Sequence, residues 1–135
     1  MSESITRECP IYATPIYNEN LRLRSIYKEF GICAFQVEGY IFSQFRALCP
    51  EYDGGSWDFY ELSNDGWFMA PRDKESYTLE CEGNWYKGKV SAEAAGIIAC
   101  LFIYGNILQD ADKYWNLRDY ACQHPEVEEI LAAID

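Results

Sequence analysis

Few residues in this chain stand at spacings that could do chemistry, and the nearest approach is the stretch Gly83-Asn84-Trp85-Tyr86-Lys87-Gly88-Lys89-Val90-Ser91. A phosphate-binding loop reads G-x-x-x-x-G-K-[ST]. Both glycines and the lysine fit, and the hydroxyl residue arrives one position late. Carboxylate pairs such as Asp58/Glu61 and Glu80/Glu82 could support acid–base work, but among 22 acidic residues such pairs arise by chance and read as exposed strand or turn positions. His124 is the single histidine and has no serine or cysteine motif beside it, so it reads as a capping or boundary residue. The six cysteines, at 9, 33, 49, 81, 100 and 122, come no closer than sixteen residues. They offer no zinc ligand set. No metal or cofactor is expected, and without an export signal the thiols read as reduced, several of them in apolar helices or strands.

The elements around the near-match decide what it is. Tyr77, Leu79 and Cys81 alternate with Thr78, Glu80 and Glu82, the period of two of a half-buried strand. Gly83-Asn84 can close a two-residue hairpin, which sets Cys81 opposite Tyr86, Glu80 opposite Lys87, Leu79 opposite Gly88 and Thr78 opposite Lys89. A slip of one residue would bury the wrong face and separate Glu80 from Lys87. Lys89 then lies in a strand instead of opening a helix, and Ser91 reads as the N-cap of the helix that follows. The nucleotide reading fails on that geometry, because a phosphate loop needs its backbone N–H groups free.

Around this hairpin, the apolar residues Ala34, Val37, Ile41, Phe45 and Leu48 recur at helical spacing up to a stop at Pro50. Asp53-Gly54-Gly55 and Asn64-Asp65-Gly66 mark turns, with strands expected over WDFYELS and WFMA. The segment after Ser91 is apolar nearly all round, as a central helix is. Asp110 to Gln123 reads as another helix, and Pro125 suits the first position of a last one carrying Val127, Ile130, Leu131 and Ile134. The expectation is an α+β fold: a single compact domain over 1–135, with a small antiparallel meander of about four strands in residues 57–90 packed with N-terminal and C-terminal helices. Residues 1–20 are expected to be irregular.

Charge narrows the partners. Residues 1–50 are balanced, five acids against five bases, so the net charge of −11 falls in residues 51–135, with 17 acids against 6 bases. That balance repels phosphate backbones and argues against direct nucleic-acid binding. The longest apolar run, Ala94 to Tyr104, is about half the ~20 residues a membrane span needs. The reading is a soluble, cytoplasmic protein with no membrane partner. In the neutral half, Glu38 borders the apolar face of its helix and Arg22 could approach it; a partly buried ion pair there would fix how the two segments dock.

The blocks PEYDGGSWDFYELSNDGWFMAP at 50–71, SAEAAGIIACLF at 91–102 and HPEVEEILAAID at 124–135 resemble the ArdB/KlcA-type antirestriction proteins of plasmids and mobile islands. The similarity runs in order from about Leu21 to the C-terminus. It implies a cytoplasmic, non-enzymatic α+β protein that relieves restriction of incoming DNA by type I restriction–modification enzymes. The partner it implies is the restriction complex or an associated host factor. The family pattern falls on Arg22, Glu38, Trp57, Tyr60, Ser63 and Asn64 as candidate binding residues, with Gly54, Gly55, Gly83 and Asn84 in turns. Two other functions stay open: an acidic DNA mimic, and a small enzyme using carboxylates.

Overall fold

The computed structural model describes residues 10–135. Cys9 and the first part of the segment expected to be irregular lie outside the described residues. The elements follow in order: β1 (Ala13–Ile16), α1 (Glu19–Phe30), a 3-10 turn (Gly31–Cys33), α2 (Ala34–Leu48), β2 (Trp57–Leu62), β3 (Trp67–Pro71), β4 (Ser76–Cys81), β5 (Tyr86–Ser91), α3 (Ala92–Phe102), a π turn (Ile103–Ile107), α4 (Ala111–Cys122) and α5 (Val127–Ile134). The class is α+β. Three helices start on side-chain caps that take up an otherwise unpaired N–H: Asn18 accepts from Leu21, Ser91 from Ala94, and Asp110 from Lys113.

The strands over 57–90 form where expected, but they divide between two sheets. One has the order β1-β2-β3 and the other is the hairpin β4-β5. The chain leaves β3 through Pro71, which has no N–H to give a neighbour, and Arg72 then donates its N–H to the Ser56 carbonyl at 3.0 Å. The link to β4 is thereby tied to the start of β2, and β3 and β4 do not pair. The third strand of the first sheet comes from the segment expected to be irregular: Ala13 to Ile16 pairs antiparallel with Leu62 to Phe59.

The second hairpin has the register expected from its alternation, with Cys81 opposite Tyr86, Glu80 opposite Lys87, Leu79 opposite Gly88 and Thr78 opposite Lys89. Lys87 Nζ stands 3.8 Å from the Glu80 carboxylate. Its loop differs. Instead of a two-residue closure at Gly83-Asn84, four residues, Glu82 to Trp85, lie between the paired ends, and the left-handed residue is Trp85 at φ 62°. Both loops are centred on the same bond, so the register is unchanged. Asn84 closes the turn, accepting the Tyr86 N–H at 3.0 Å. Pro125 also differs from expectation: it lies in the turn closed by Val127 N–H on the His124 carbonyl, and α5 begins two residues later.

The core gathers on α3, whose residues Ala94 to Leu101 are all buried. Gly96 lets β3 come close: a Cβ there would stand 2.4 Å from the Met69 carbonyl oxygen and 2.5 Å from Ala70 Cα. On the far face of β3, Trp67 is buried, donates its indole N–H to Ser25 Oγ at 2.8 Å, and packs edge-on against Phe30. Tyr104 donates to the Trp67 carbonyl at 2.7 Å. Every buried polar side-chain atom among the described residues has a hydrogen-bond partner, as a well-formed interior requires. Cys49 and Cys100 are buried and unbridged, while Cys33 and Cys122 are exposed.

Candidate functional site

Three of the expected site residues meet where α1 and α2 dock on the start of β2. Arg22 projects inward from α1, donates from Nη1 to the Trp57 carbonyl at 3.0 Å, and lies over the Phe59 ring with 4.1 Å to its centroid. A guanidinium can do both because its plane stacks while its edge donates. Its carboxylate neighbour is Glu19, one turn earlier, at 4.0 Å. The anticipated contact ion pair with Glu38 is absent among the described residues. Glu38 is half-buried on α2; burial raises its carboxyl above the usual range, and the nearby Arg22 charge opposes that rise. The two residues share a junction electrostatically without touching.

Trp57 is 4% exposed, which leaves no free ring for an interface anchor. Its indole N–H donates to Tyr52 Oη at 2.7 Å, and Phe42 and Phe45 meet its ring edge-on at 5.3 and 5.2 Å. The block that carries the resemblance thus folds back on itself, Tyr52 reaching Trp57 across the turn at Gly54-Gly55. Both glycines have positive φ, and a Cβ on Gly55 would overlap the Asp73 carboxylate that accepts the Ser56 N–H.

The remaining expected site residues lie further along β2 and make different contacts. Tyr60 stacks on Phe68 with centroids 4.6 Å apart, and burial, helped by Asp58 and Glu93, pushes its phenol up to about 12. Ser63 Oγ accepts the Tyr12 N–H at 2.9 Å, extending the β1–β2 pairing. Asn64 donates to the Asn116 carbonyl on α4 at 2.9 Å and accepts the Gly66 N–H at 3.0 Å. Trp57 and Asn64 are seven residues apart, roughly 20 Å along an extended strand. Arg22, Trp57, Ser63 and Asn64 therefore form a seam that fastens α1, α2, β1 and α4 to β2, with Tyr60 between them stacked on β3 and Glu38 beside Arg22 on α2. Asn84 has the same fastening role elsewhere, donating to the Ala133 carbonyl of α5 at 2.6 Å.

Among the carboxylates singled out for possible chemistry, Asp58 is held by Arg72 Nη1 at 2.8 Å and Glu61 lines an open polar cleft between α1 and α4. Two arrangements had no clear sequence signal. Glu93, at the start of α3, accepts from Tyr120 Oη at 2.9 Å and faces His124 Nε2 at 3.5 Å, while His124 Nδ1 accepts the Glu126 N–H. The His124 bond holds the Glu93 carboxyl below its usual range, against the effect of burial. The other is the solvent side of α1 and the corner after it, where large apolar residues stand exposed.

Comparison with known proteins turns this architecture into a relationship. Residues 50–135 match the family model described as antirestriction protein. The antirestriction protein KlcA of Escherichia coli is 37% identical over 96% of this chain and 99% of its own length. The chain belongs to the antirestriction protein family. The uncharacterized protein YfjX of Escherichia coli K12 is 44% identical over 73% of this chain and 70% of its own. A solved structure of the KlcA and ArdB family members superposes with a TM-score of 0.84 at 36% identity, covering 94% of this chain and 96% of that one. Those two proteins are described as having a novel fold, and antirestriction activity against type I DNA restriction systems in vivo but not in vitro. The family match includes the turn at Gly54-Gly55, Trp57 and the α3 core; the Arg22 junction lies outside it but within the span shared with KlcA.

Proposed function

We propose that this chain relieves restriction of incoming DNA by type I restriction–modification enzymes, acting in the cytoplasm by protein binding and not by catalysis. The observation that carries the reading is the likeness to KlcA and ArdB across nearly the whole of both chains, at 36% identity and a TM-score of 0.84. Conservation of fold at that identity supports a shared activity. The partner is the restriction complex or a host factor associated with it. Activity in vivo but not in vitro, as described for KlcA and ArdB, favours a route through a further cellular component. Arg22, Trp57 and Asn64 serve this function by holding the docking of α1, α2 and α4 on β2, Tyr60 and Ser63 by joining β2 to β3 and β1, and Glu38 by the charge it sets beside Arg22, and so the shape of the surface those helices present.

DNA mimicry has less support. Several acids in the second half are engaged by other groups of the chain: Asp58 by Arg72, Asp73 by the Ser56 N–H, Glu126 by the Ser91 N–H, Glu129 by Tyr86, and Asp110 by the start of α4. A DNA-like display needs free carboxylates at a spacing near one per ~1.7 Å of duplex axis. No helix of the described residues is long and apolar enough to cross a membrane.

The test is transformation of a type I restricting host with unmodified plasmid, with and without the chain, using modified plasmid as control. Recovery of unmodified plasmid rises if the reading is right. Equal recovery with and without the chain, at confirmed expression, refutes it.

A further inference from the structure

His124 is the only histidine of the chain, is 8% exposed, and has both ring nitrogens engaged. Nδ1 accepts the Glu126 N–H at 3.0 Å, and Nε2 faces Glu93 Oε1 at 3.5 Å. A neutral imidazole offers one acceptor and one donor, so this arrangement puts the ring proton on Nε2. The Ala121 carbonyl accepts the His124 N–H and the His124 carbonyl accepts the Val127 N–H, which ties the backbone on either side into the turn between α4 and α5.

Glu126 carries the state of the ring further. Its N–H donates to Nδ1, while its Oε1 accepts the Ser91 N–H at 2.9 Å. Ser91 ends β5 and caps α3, accepting the Ala94 N–H at 3.2 Å. The titratable groups around the ring are Glu93 from α3, Tyr120 from α4, whose ring meets it edge-on at 6.3 Å, and Glu126 from its own turn. Tyr60 of β2 is coupled electrostatically to Glu93 and Tyr120. No lysine or arginine among the described residues pairs with Glu93 or Glu126. Burial and neighbouring carboxylates push the Tyr120 and Tyr60 phenols up, and the His124 contact holds the Glu93 carboxyl low. These three therefore keep their protonation state between about pH 5 and 8, where histidine is the side chain that changes charge.

We propose that His124 is a proton-operated latch: neutral, it fastens the turn before α5 to the end of β5 through Glu126; protonated, it exchanges that turn for an ion pair with Glu93. A proton added to the ring has one place to go, Nδ1. There it meets the Glu126 N–H, two donors 3.0 Å apart, and the turn bond is lost. Because one residue supplies both links, movement of the Glu126 backbone also draws its carboxylate off the Ser91 N–H. The same proton sets a full positive charge opposite Glu93, so each state of the ring has its own partner, as a two-state element requires. The far end of α5 stays docked in both states through buried Ile130 and Ala133 and the Asn84 bond to the Ala133 carbonyl at 2.6 Å. The change is local, at the meeting point of β5, α3 and the start of α5.

The experiment is an NMR titration of the isotope-labelled full chain between about pH 5 and 8. The imidazole nitrogen shifts are expected to show the proton on Nε2 at the neutral end. The Glu126 and Ser91 amide shifts are expected to move with the ring, on one common midpoint. Exchange of the Glu126 amide, relative to its intrinsic rate, quickens by about tenfold once the ring is charged. Glu126→Gln keeps an acceptor for Ser91 and removes the titration of residue 126 itself, so the coupled shifts persist. His124→Asn offers the Glu126 N–H an acceptor that does not titrate, so the turn remains and the shifts vanish. A ring proton on Nδ1 at the neutral end, or Glu126 and Ser91 amides that do not follow the ring, overturns the proposal, and both are read on the parent chain. Shifts that vanish in Glu126→Gln or persist in His124→Asn overturn it too. None of these outcomes depends on restriction relief, so the proposal can fail while the plasmid recovery result stands.

Discussion

The Arg22 guanidinium lies 4.1 Å over the Phe59 ring while its Nη1 holds the Trp57 carbonyl, so one side chain of α1 grips both a ring and a backbone oxygen of β2. Arg22→Ala removes the stack, the hydrogen bond and the packing of the alkyl stem. The expected cost is about 1–3 kcal/mol. Arg22→Lys keeps the charge without the planar fork and is expected to fall between. Urea titrations of the three proteins check this. Unchanged midpoints for both variants would show that α1 is docked by other contacts.

At Gly96 the backbone of α3 comes close to β3. A methyl group there meets the Met69 carbonyl oxygen and Ala70, both fixed by the sheet. Gly96→Ala would gain helix propensity on an open helix, yet here it is expected to destabilise by roughly 3 kcal/mol or more, beyond ordinary overpacking. Gly39, on the exposed side of α2 with nothing near its Cβ position, is the control. Gly39→Ala is expected to stabilise by about 0.5–1 kcal/mol, and thermal melts of the pair read the contrast.

Two glutamates predict opposite pH signatures. The Glu93 carboxyl is held below its ordinary value of 4.5, first by the His124 bond, so its contribution is fully present above that value and is lost as pH falls through the lowered one. Glu93→Gln should therefore lower the urea midpoint at neutral pH, with the difference closing in acid. The Glu38 carboxyl is raised by burial, so the folded state binds that proton more tightly than the unfolded one and loses stability as pH rises from 4.5 through the raised value. Glu38→Gln should raise the midpoint at neutral pH and give no gain below 4.5. The same direction for both variants would contradict the assignment.

At the tip of the second hairpin, Asn84 and Trp85 separate fastening from strain. Asn84 links the loop to the Ala133 carbonyl of α5 and to the Tyr86 N–H. Asn84→Ala is expected to cost about 1–2 kcal/mol. Trp85 is 91% exposed with φ 62°, so Trp85→Gly removes little packing and relieves a conformation that costs an L residue roughly 1–2 kcal/mol. Glycine's greater freedom when unfolded offsets part of that gain. The expected result is a stability equal to or slightly above the parent's, measured by chemical denaturation.

Local patterns explain which elements could be read from the chain alone. The register of β4 and β5 was legible because period-two burial and the Glu80–Lys87 pair agree on one alignment, and α3 because a helix apolar all round can sit only at the centre. β1 was not legible: it is four residues long, contains Pro15, and exists through pairing with β2 more than forty residues away. The separation of β3 from β4 likewise depends on where the Arg72 N–H and side chain find partners. At the candidate site, the family pattern located Arg22, Glu38 and Trp57, and geometry brought them together. It could not show that Arg22 would choose the Trp57 carbonyl and Phe59 ring over the Glu38 carboxylate. The apolar side of α1 was hidden for a related reason, since composition does not separate Leu23 and Tyr27 facing solvent from the same residues in a core.

Relief of type I restriction in the cell is read in one step as the plating efficiency of unmodified phage on a type I restricting host expressing the chain. That efficiency is expected to rise toward the value on an otherwise identical non-restricting host, with modified phage plating equally with and without the chain. A plating efficiency on the restricting host that stays unchanged, with the folded protein present in the cells, would contradict it.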